Sequence, residues 1–299
     1  MSDFVRLYFV SCVDSIECFV QWVSTHSFQT HPLHHVVHSK QYYPLSQLNT
    51  KHSTLNTVDQ RETPYISYMI KKIAVLTGAG ISAESGIKTF RDNDGLREEF
   101  DVMTVASYDG WMKDKELVLK FYNDRRKQLT DVEPNQGHLD LLLFEQKHDV
   151  VIITQNVDDL HERAGSSRII HLHGELNKVR CTVNEELVYD WTGKELKLGD
   201  LSDDGHQLRP HIVWFGEMVP LLDAAAMEVA TADYIIIVGT SMQVYPAAGL
   251  VGYAKPNAHI YYIDPKPQLN YELRNAAHVT VIEEKASVGV KKCFLSLTE

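Results

Sequence analysis

The sequence predicts an α/β fold, a doubly wound, mostly parallel, Rossmann-like sheet with a small inserted module. Three observations carry this reading. From Met69 onward, short β-branched runs alternate with longer amphipathic segments; the first run passes straight into Gly78-Ala79-Gly80; and residues 177–208 interrupt the rhythm once with polar, Gly-containing sequence. Strands separated by helices need crossover connections, which give parallel pairing with helices on both faces.

In chain order, residues 1–68 come first and fit no domain. They contain no Gly and no Ala, while all 16 Gly lie beyond them, and they hold six of the 15 His without any sustained helical or strand period. Such composition suits a His-rich metal-binding extension, or else a disordered leader or upstream sequence read from an early start. The second reading is adopted because Met69 directly precedes a strand-like run, so 69–299 is taken as the working domain. Buried parallel strands are expected at 71–76 (KKIAVL), Asp149–Thr154, Tyr234–Val238 and His259–Ile263, with helices over 113–129, 136–147 and 221–231.

The 299-residue chain carries a net charge of -11, and only four cysteines (Cys12, Cys18, Cys181, Cys293) are scattered along it. A chain of this length buries most of its apolar surface without staples, so the cysteines imply no disulfide framework. The acidity disfavours nucleic acid and anionic membrane as partners, since both require clustered Lys and Arg. No run approaches the roughly 20 apolar residues of a membrane span, and the start lacks a signal-peptide pattern. A cytoplasmic protein acting on small molecules or cationic protein segments is expected.

Gly78-Ala79-Gly80-Ile81-Ser82-Ala83 satisfies GxGxx(G/A) after a strand, where small residues let backbone N–H groups approach a pyrophosphate. An ordinary dehydrogenase would also place an acidic residue about 20 positions on, at a second strand end. Glu98, Glu99 and Asp101 have the distance but lie in no strand pattern.

The longer string GAGISAESGIKTFRD (78–92) resembles the signature of the sirtuins, NAD-dependent protein-lysine deacylases. The resemblance continues in order through Gln155-Asn156-Val157-Asp158, His171-Leu172-His173-Gly174, Val213-Trp214-Phe215-Gly216-Glu217, Gly239-Thr240-Ser241 and Val244-Tyr245-Pro246-Ala247. It implies that NAD is consumed as co-substrate. Gly78, Ala79, Gly80 and Ser82 would cradle its phosphates with Arg91, and Phe90 would cover the nicotinamide ribose. Gln155, Asn156 and Asp158 would hold ribose and carboxamide, with Asn156 also at the catalytic centre. Gly239, Thr240 and Ser241 repeat the pattern at a later strand end. Asp264 would accept from the adenosine ribose, and Lys285 and Ala286 would lie at the adenine.

His173 is the general-base candidate, because imidazole alone has an unperturbed pKa near neutrality, about 6.5; His171 is a candidate supporting residue beside it. In the implied reaction the acyl-lysine carbonyl oxygen attacks C1′ of the NAD ribose and nicotinamide leaves. His173 then takes a proton from a ribose hydroxyl, so that this oxygen receives the acyl group. Water adds to the resulting intermediate and the lysine amine leaves, so that free lysine, nicotinamide and O-acyl-ADP-ribose result. Residues 213–217 would form the edge along which an acyl-lysine protein or peptide pairs as a strand.

Tyr122 and Arg125 form an (i, i+3) pair on one helix face, a phenol beside a planar guanidinium that suits a carboxylate. The resemblance adds that class III sirtuins carry Tyr-x-x-Arg here, with a small residue sixteen positions earlier, which is Ala106. Succinyl-, malonyl- or glutaryl-lysine is therefore expected over acetyl-lysine. Arg126 points about 100° away around the helix.

The chain departs from the family at the small module, where relatives hold zinc on two Cys-x-x-Cys pairs and only Cys181 remains. Cys181, His206 and His211 lack a fourth ligand, so no metal is expected, and packing around Leu187, Tyr189, Trp191 and Leu198 would hold the module. Lys88 and Arg97 also depart from the family, in the cofactor loop. Two other functions keep the same NAD site: an NADase or ADP-ribosyltransferase, which has no use for Tyr122 and Arg125, and a non-catalytic NAD-sensing module, whose mark would be loss of His173 or Asn156.

Overall fold

The computed structural model describes residues 70–88 and 101–298. The leader, Phe90, Arg91 and Arg97 lie outside the described residues. Among the described residues, nine strands form two sheets. The large one comprises β1 (Lys72–Thr77), β2 (Asp149–Thr154), β3 (Ile169–His171), β7 (Tyr234–Val238), β8 (His259–Ile263) and β9 (Val279–Ile282), in the order β3-β2-β1-β7-β8-β9 with every pairing parallel. The chain winds outward from β1 in one direction and from β7 in the other. The crevice beyond their carboxyl ends is thus the topological switch point, where open α/β sheets bind ligands.

The β-branched runs form strands because both faces of the sheet are covered. Ala74, Leu76, Ile235 and Ile237 pack on one side, with Ala225 and Val229 of the helix Leu222–Thr231 and Leu250 and Val251 of the 3₁₀ segment Ala247–Tyr253. Ile73, Val75, Ile152 and Ile236 pack on the other, with Leu141 and Phe144 of the helix Gln136–Glu145 and Val290 and Cys293 of the helix Ala286–Thr298. Cys293 is buried and free, and burial pushes its thiol up to about 12.

The helix expected over 113–129 runs over Lys115–Leu129, starting two residues later. The helix Tyr108–Lys113 ends at Asp114, which caps the helix Lys115–Leu129 by accepting from Leu117 N at 2.9 Å. The small module is a three-stranded antiparallel sheet of β4 (Gly174–Cys181), β5 (Val188–Asp190) and β6 (Leu208–Ile212), ordered β5-β4-β6. Its first strand begins one residue after His173, earlier than the polar composition suggested. Its core is Leu176, Val179, Leu196, Leu208 and Ile212, which join Val118, Leu119 and Tyr122 of the helix Lys115–Leu129 in one cluster flanked by Tyr189 and Trp191. Leu198, expected in that core, is instead 47% exposed. Among the described residues, no helix is long and apolar enough to cross a membrane.

Candidate active site

The sequence-selected residues that follow β1, β2, β3, β7 and β8 stand at the carboxyl edge of the sheet. At its centre two glycine turns meet backbone to backbone. Gly78 N donates to Val238 O at 3.1 Å and Gly80 N to Gly239 O at 2.8 Å. A Cβ on Gly80 would stand 2.7 Å from Gly239 Cα, and Gly239 has φ +62°, a region costly for other residues. The glycines therefore serve the close backbone junction of β1 and β7.

Beside it, Asn156 Nδ2 donates to Ser82 Oγ at 3.0 Å, and Ser82 Oγ donates to Asp158 Oδ2 at 2.9 Å. All three are buried. Burial raises the Asp158 carboxyl above its ordinary pKa, against the bonds from Ser82 and from the Leu160 N–H. Gln155 Nε2 donates to Thr240 Oγ1 at 3.1 Å, linking the β2 and β7 ends, and Tyr262 OH holds Thr240 O at 3.0 Å. Ser241 Oγ accepts from Gln243 N at 3.3 Å, and Asp264, buried, accepts from Lys266 N at 2.8 Å. Ala286 begins the last helix with its methyl toward Gly137; Lys285 contributes its carbonyl to the same helix start.

His171, the last residue of β3, and His173 grip consecutive carbonyls of the β2 loop. His173 Nδ1 lies 3.1 Å from Gln155 O, and His171 Nδ1 lies 3.3 Å from Asn156 O. Burial lowers the His173 pKa, with the Gln155 bond opposing. His171 differs: burial opposes its charge, but Glu162 at 2.6 Å, with Glu175 and the Asn156 carbonyl, outweighs burial and holds its pKa above the usual value. Sequence reasoning missed Glu162, whose nine-residue separation from His171 carries no helical or strand period.

Behind β1 and β2, Thr77 Oγ1 donates to Thr154 Oγ1 at 2.8 Å and lies 3.0 Å from His161 Nε2, while Asn156 N donates to Thr154 Oγ1 at 3.0 Å. The His138 ring meets that of His161 edge-on at 5.0 Å. Burial lowers both, His138 to about 4.

The acyl-selecting candidates converge around 213–217. Phe215 N donates to Ala106 O at 2.9 Å, and Val213 N donates to His173 O at 3.0 Å. Trp214 is 2% exposed, and its Nε1 donates to Tyr122 Oη at 2.9 Å. Arg125, on the same helix face as Tyr122, has its Nη1 shut off from solvent with no hydrogen-bond partner among the described residues. Arg126 is directed elsewhere, donating to Leu176 O at 2.9 Å and Asn123 Oδ1 at 2.8 Å. Glu217, expected to face substrate, instead turns inward. It accepts from Arg209 at 2.6 and 3.1 Å and from Trp214 N at 2.8 Å, because two buried guanidiniums, Arg209 and Arg180, demand a counter-charge there. Four N–H groups of this stretch are engaged within the chain, so a paired strand would draw chiefly on its carbonyls and on Gly216, whose φ is +89°.

Comparison with known proteins agrees with this arrangement. A profile of the Sir2 family matches residues 78–246. An NAD-dependent protein deacylase of Helicobacter pylori is 61% identical over 230 residues, spanning 77% of this chain and 99% of that protein. A crystal structure of a Sir2 homologue in complex with NAD is 38% identical, with TM-score 0.67 over 76% of this chain and 90% of the other. A histidine-to-tyrosine Sir2 variant bound to a p53 peptide and NAD is 27% identical, with TM-score 0.61 over 76% and 93%. With the profile covering more than half of its length and its sheet edge carrying the residues described above, the chain belongs to the Sir2 family.

Proposed function

We propose that this chain, an NAD-dependent protein deacylase, removes succinyl, malonyl or glutaryl groups from protein lysines in preference to acetyl, without a structural zinc. The observation that carries the acyl preference is the unengaged Nη1 of Arg125 beside Tyr122. The Arg125 guanidinium rests 5.4 Å from the Phe121 ring centroid, but a buried donor left without an acceptor is costly, and a carboxylate at the end of the acyl chain would supply the acceptor. Burial already lowers the Arg125 pKa, with Tyr122 and Asp158 opposing. The small side chain of Ala106 leaves length for a dicarboxylic acyl group.

The glycine cradle and the Ser82–Asn156–Asp158 chain fit NAD, which supplies an electrophilic ribose carbon once nicotinamide departs. Gln155, Asn156 and Asp158 orient the ribose and carboxamide, with Thr240, Ser241 and Asp264 toward the adenosine side. His173 holds its Nδ1 proton on Gln155 O, leaving Nε2 to take a proton from a ribose hydroxyl. The acyl-lysine peptide lies along 213–217, where Phe215 is half-exposed.

Support for a zinc-free module comes from Cys181. Its Sγ accepts the N–H groups of Val183 at 3.4 Å and Asn184 at 3.3 Å and donates to Asp204 Oδ1 at 3.4 Å, while Ser202 bonds Asp204 and His206 O. Hydrogen bonds thus tie the loops that two cysteine pairs would otherwise join.

The test is to incubate the full chain with NAD and matched succinyl- and acetyl-lysine peptides and follow both by mass spectrometry. Faster succinyl removal with O-succinyl-ADP-ribose as product is expected. Dominant acetyl removal would overturn the acyl preference, and NAD consumption without peptide turnover would favour an NADase.

A further inference from the structure

We propose that Trp214 is a positioning residue for acyl selectivity: its indole N–H fixes the Tyr122 phenol so that the phenol's own hydrogen is offered to the carboxylate of the acyl chain. The inference rests on the dicarboxylic-acyl reading and extends it from the helix to the substrate-binding stretch.

An indole nitrogen only donates, so in the 2.9 Å contact the Tyr122 oxygen accepts. A phenol hydrogen lies near the ring plane, on one of two sides of the oxygen. With one side taken by the indole N–H, the hydrogen is confined to the other. Tyr122 is 4% exposed, so bulk water does not compete for it, and among the described residues its oxygen makes no other hydrogen bond. Burial, against the bond from Trp214, pushes the phenol up to about 12, so it remains a neutral donor at working pH. The phenol hydrogen and Arg125 Nη1 are thereby two open donors of adjacent helix turns, the pair that a carboxylate matches.

Trp214 is itself held on every side. Its ring packs against Trp111 at 5.6 Å, and the Arg209 guanidinium lies 3.4 Å from the ring centroid. Arg209 is bound by Glu217, which also accepts the Trp214 backbone N–H. The inward-facing Glu217 thus acquires a role: it anchors the cation that pins the indole. The neighbouring Phe215 N–H holds the carbonyl of Ala106. Two successive residues of the stretch that receives the peptide therefore touch the two parts of the chain that select the acyl group.

The experiment compares Trp214→Phe, Tyr122→Phe and the double variant in the full chain, measuring kcat/KM for succinyl- and acetyl-lysine peptides of one sequence. Trp214→Phe keeps an aromatic ring and removes the donor. Circular dichroism and the thermal unfolding transition report the folded fraction of each preparation, and the readout is the succinyl-to-acetyl ratio. Trp214→Phe is expected to lower that ratio roughly tenfold, the scale of one oriented charge-assisted hydrogen bond, mainly through KM for the succinyl peptide. In the Tyr122→Phe background it should leave the ratio unchanged. Equal loss for both peptides, or a ratio that falls independently in the two variants, would overturn the inference. A wild-type enzyme with no succinyl preference would instead overturn the acyl reading on which it rests.

Discussion

His173 Nδ1 donates to the backbone carbonyl of Gln155 at 3.1 Å, and this bond settles which ring nitrogen is free. A carbonyl only accepts, so Nδ1 carries the proton and Nε2 the lone pair. Burial lowers the His173 pKa, so the imidazole stays neutral below the usual range, as the proposed base must. The acid limb of kcat/KM is accordingly expected below about pH 6.5. His173→Ala should cost on the order of 100- to 10,000-fold in deacylation with an unchanged circular dichroism spectrum. A variant retaining full turnover would remove the base assignment.

His171 offers the opposite prediction. Its folded pKa is raised, so the stability it contributes is complete below its unfolded value of about 6.5 and is lost as pH rises through the folded value. Glu162 is its shortest charged contact, at 2.6 Å. Glu162→Gln should therefore lower Tm more at pH 6 than at pH 9, and an equal loss at both would show that the pair contributes no charge-dependent stability.

The His138–His161 stack behind β1 and β2 should make the protein acid-sensitive. Burial lowers His138 to about 4, so the unfolded chain binds the proton first as pH falls. Stability held above about pH 6.5 then declines toward pH 4, by roughly 3 kcal/mol if this group acts alone. Urea titrations at pH 7.5 and 5 of wild type and His138→Gln check this. The variant should lose less stability between the two pH values.

Removing metal should change nothing in the small module. Exhaustive chelation is expected to leave Tm and activity unaltered, whereas Asp204→Ala, which removes the acceptor shared by Cys181 and Ser202, should lower Tm. A chelator-dependent fall in Tm restored by zinc would contradict the zinc-free reading.

Much of this was legible in sequence for a physical reason. β2, β7 and β8 are buried on both faces, and their apolar runs have no alternative use, so DVVIIT, YIIIV and HIYYI mark strands to the residue. Residues that follow such strands lie at the ligand edge by topology, and Asn156, Asp158 and Thr240, picked out by their resemblance to the family's motifs, stand there. Glu217 was misplaced because its partners, Arg180 and Arg209, come from β4 and β6, whose antiparallel pairing a polar, loop-like composition does not announce. Trp214 and Tyr122, 92 residues apart, meet only through tertiary packing.

The most direct test of the central claim is the succinyl-to-acetyl kcat/KM ratio of the full chain with NAD, measured for wild type and Arg125→Met. The account predicts a ratio well above one that collapses in the variant while acetyl removal continues. A ratio at or below one in the wild type, or one that Arg125→Met leaves intact, would contradict it.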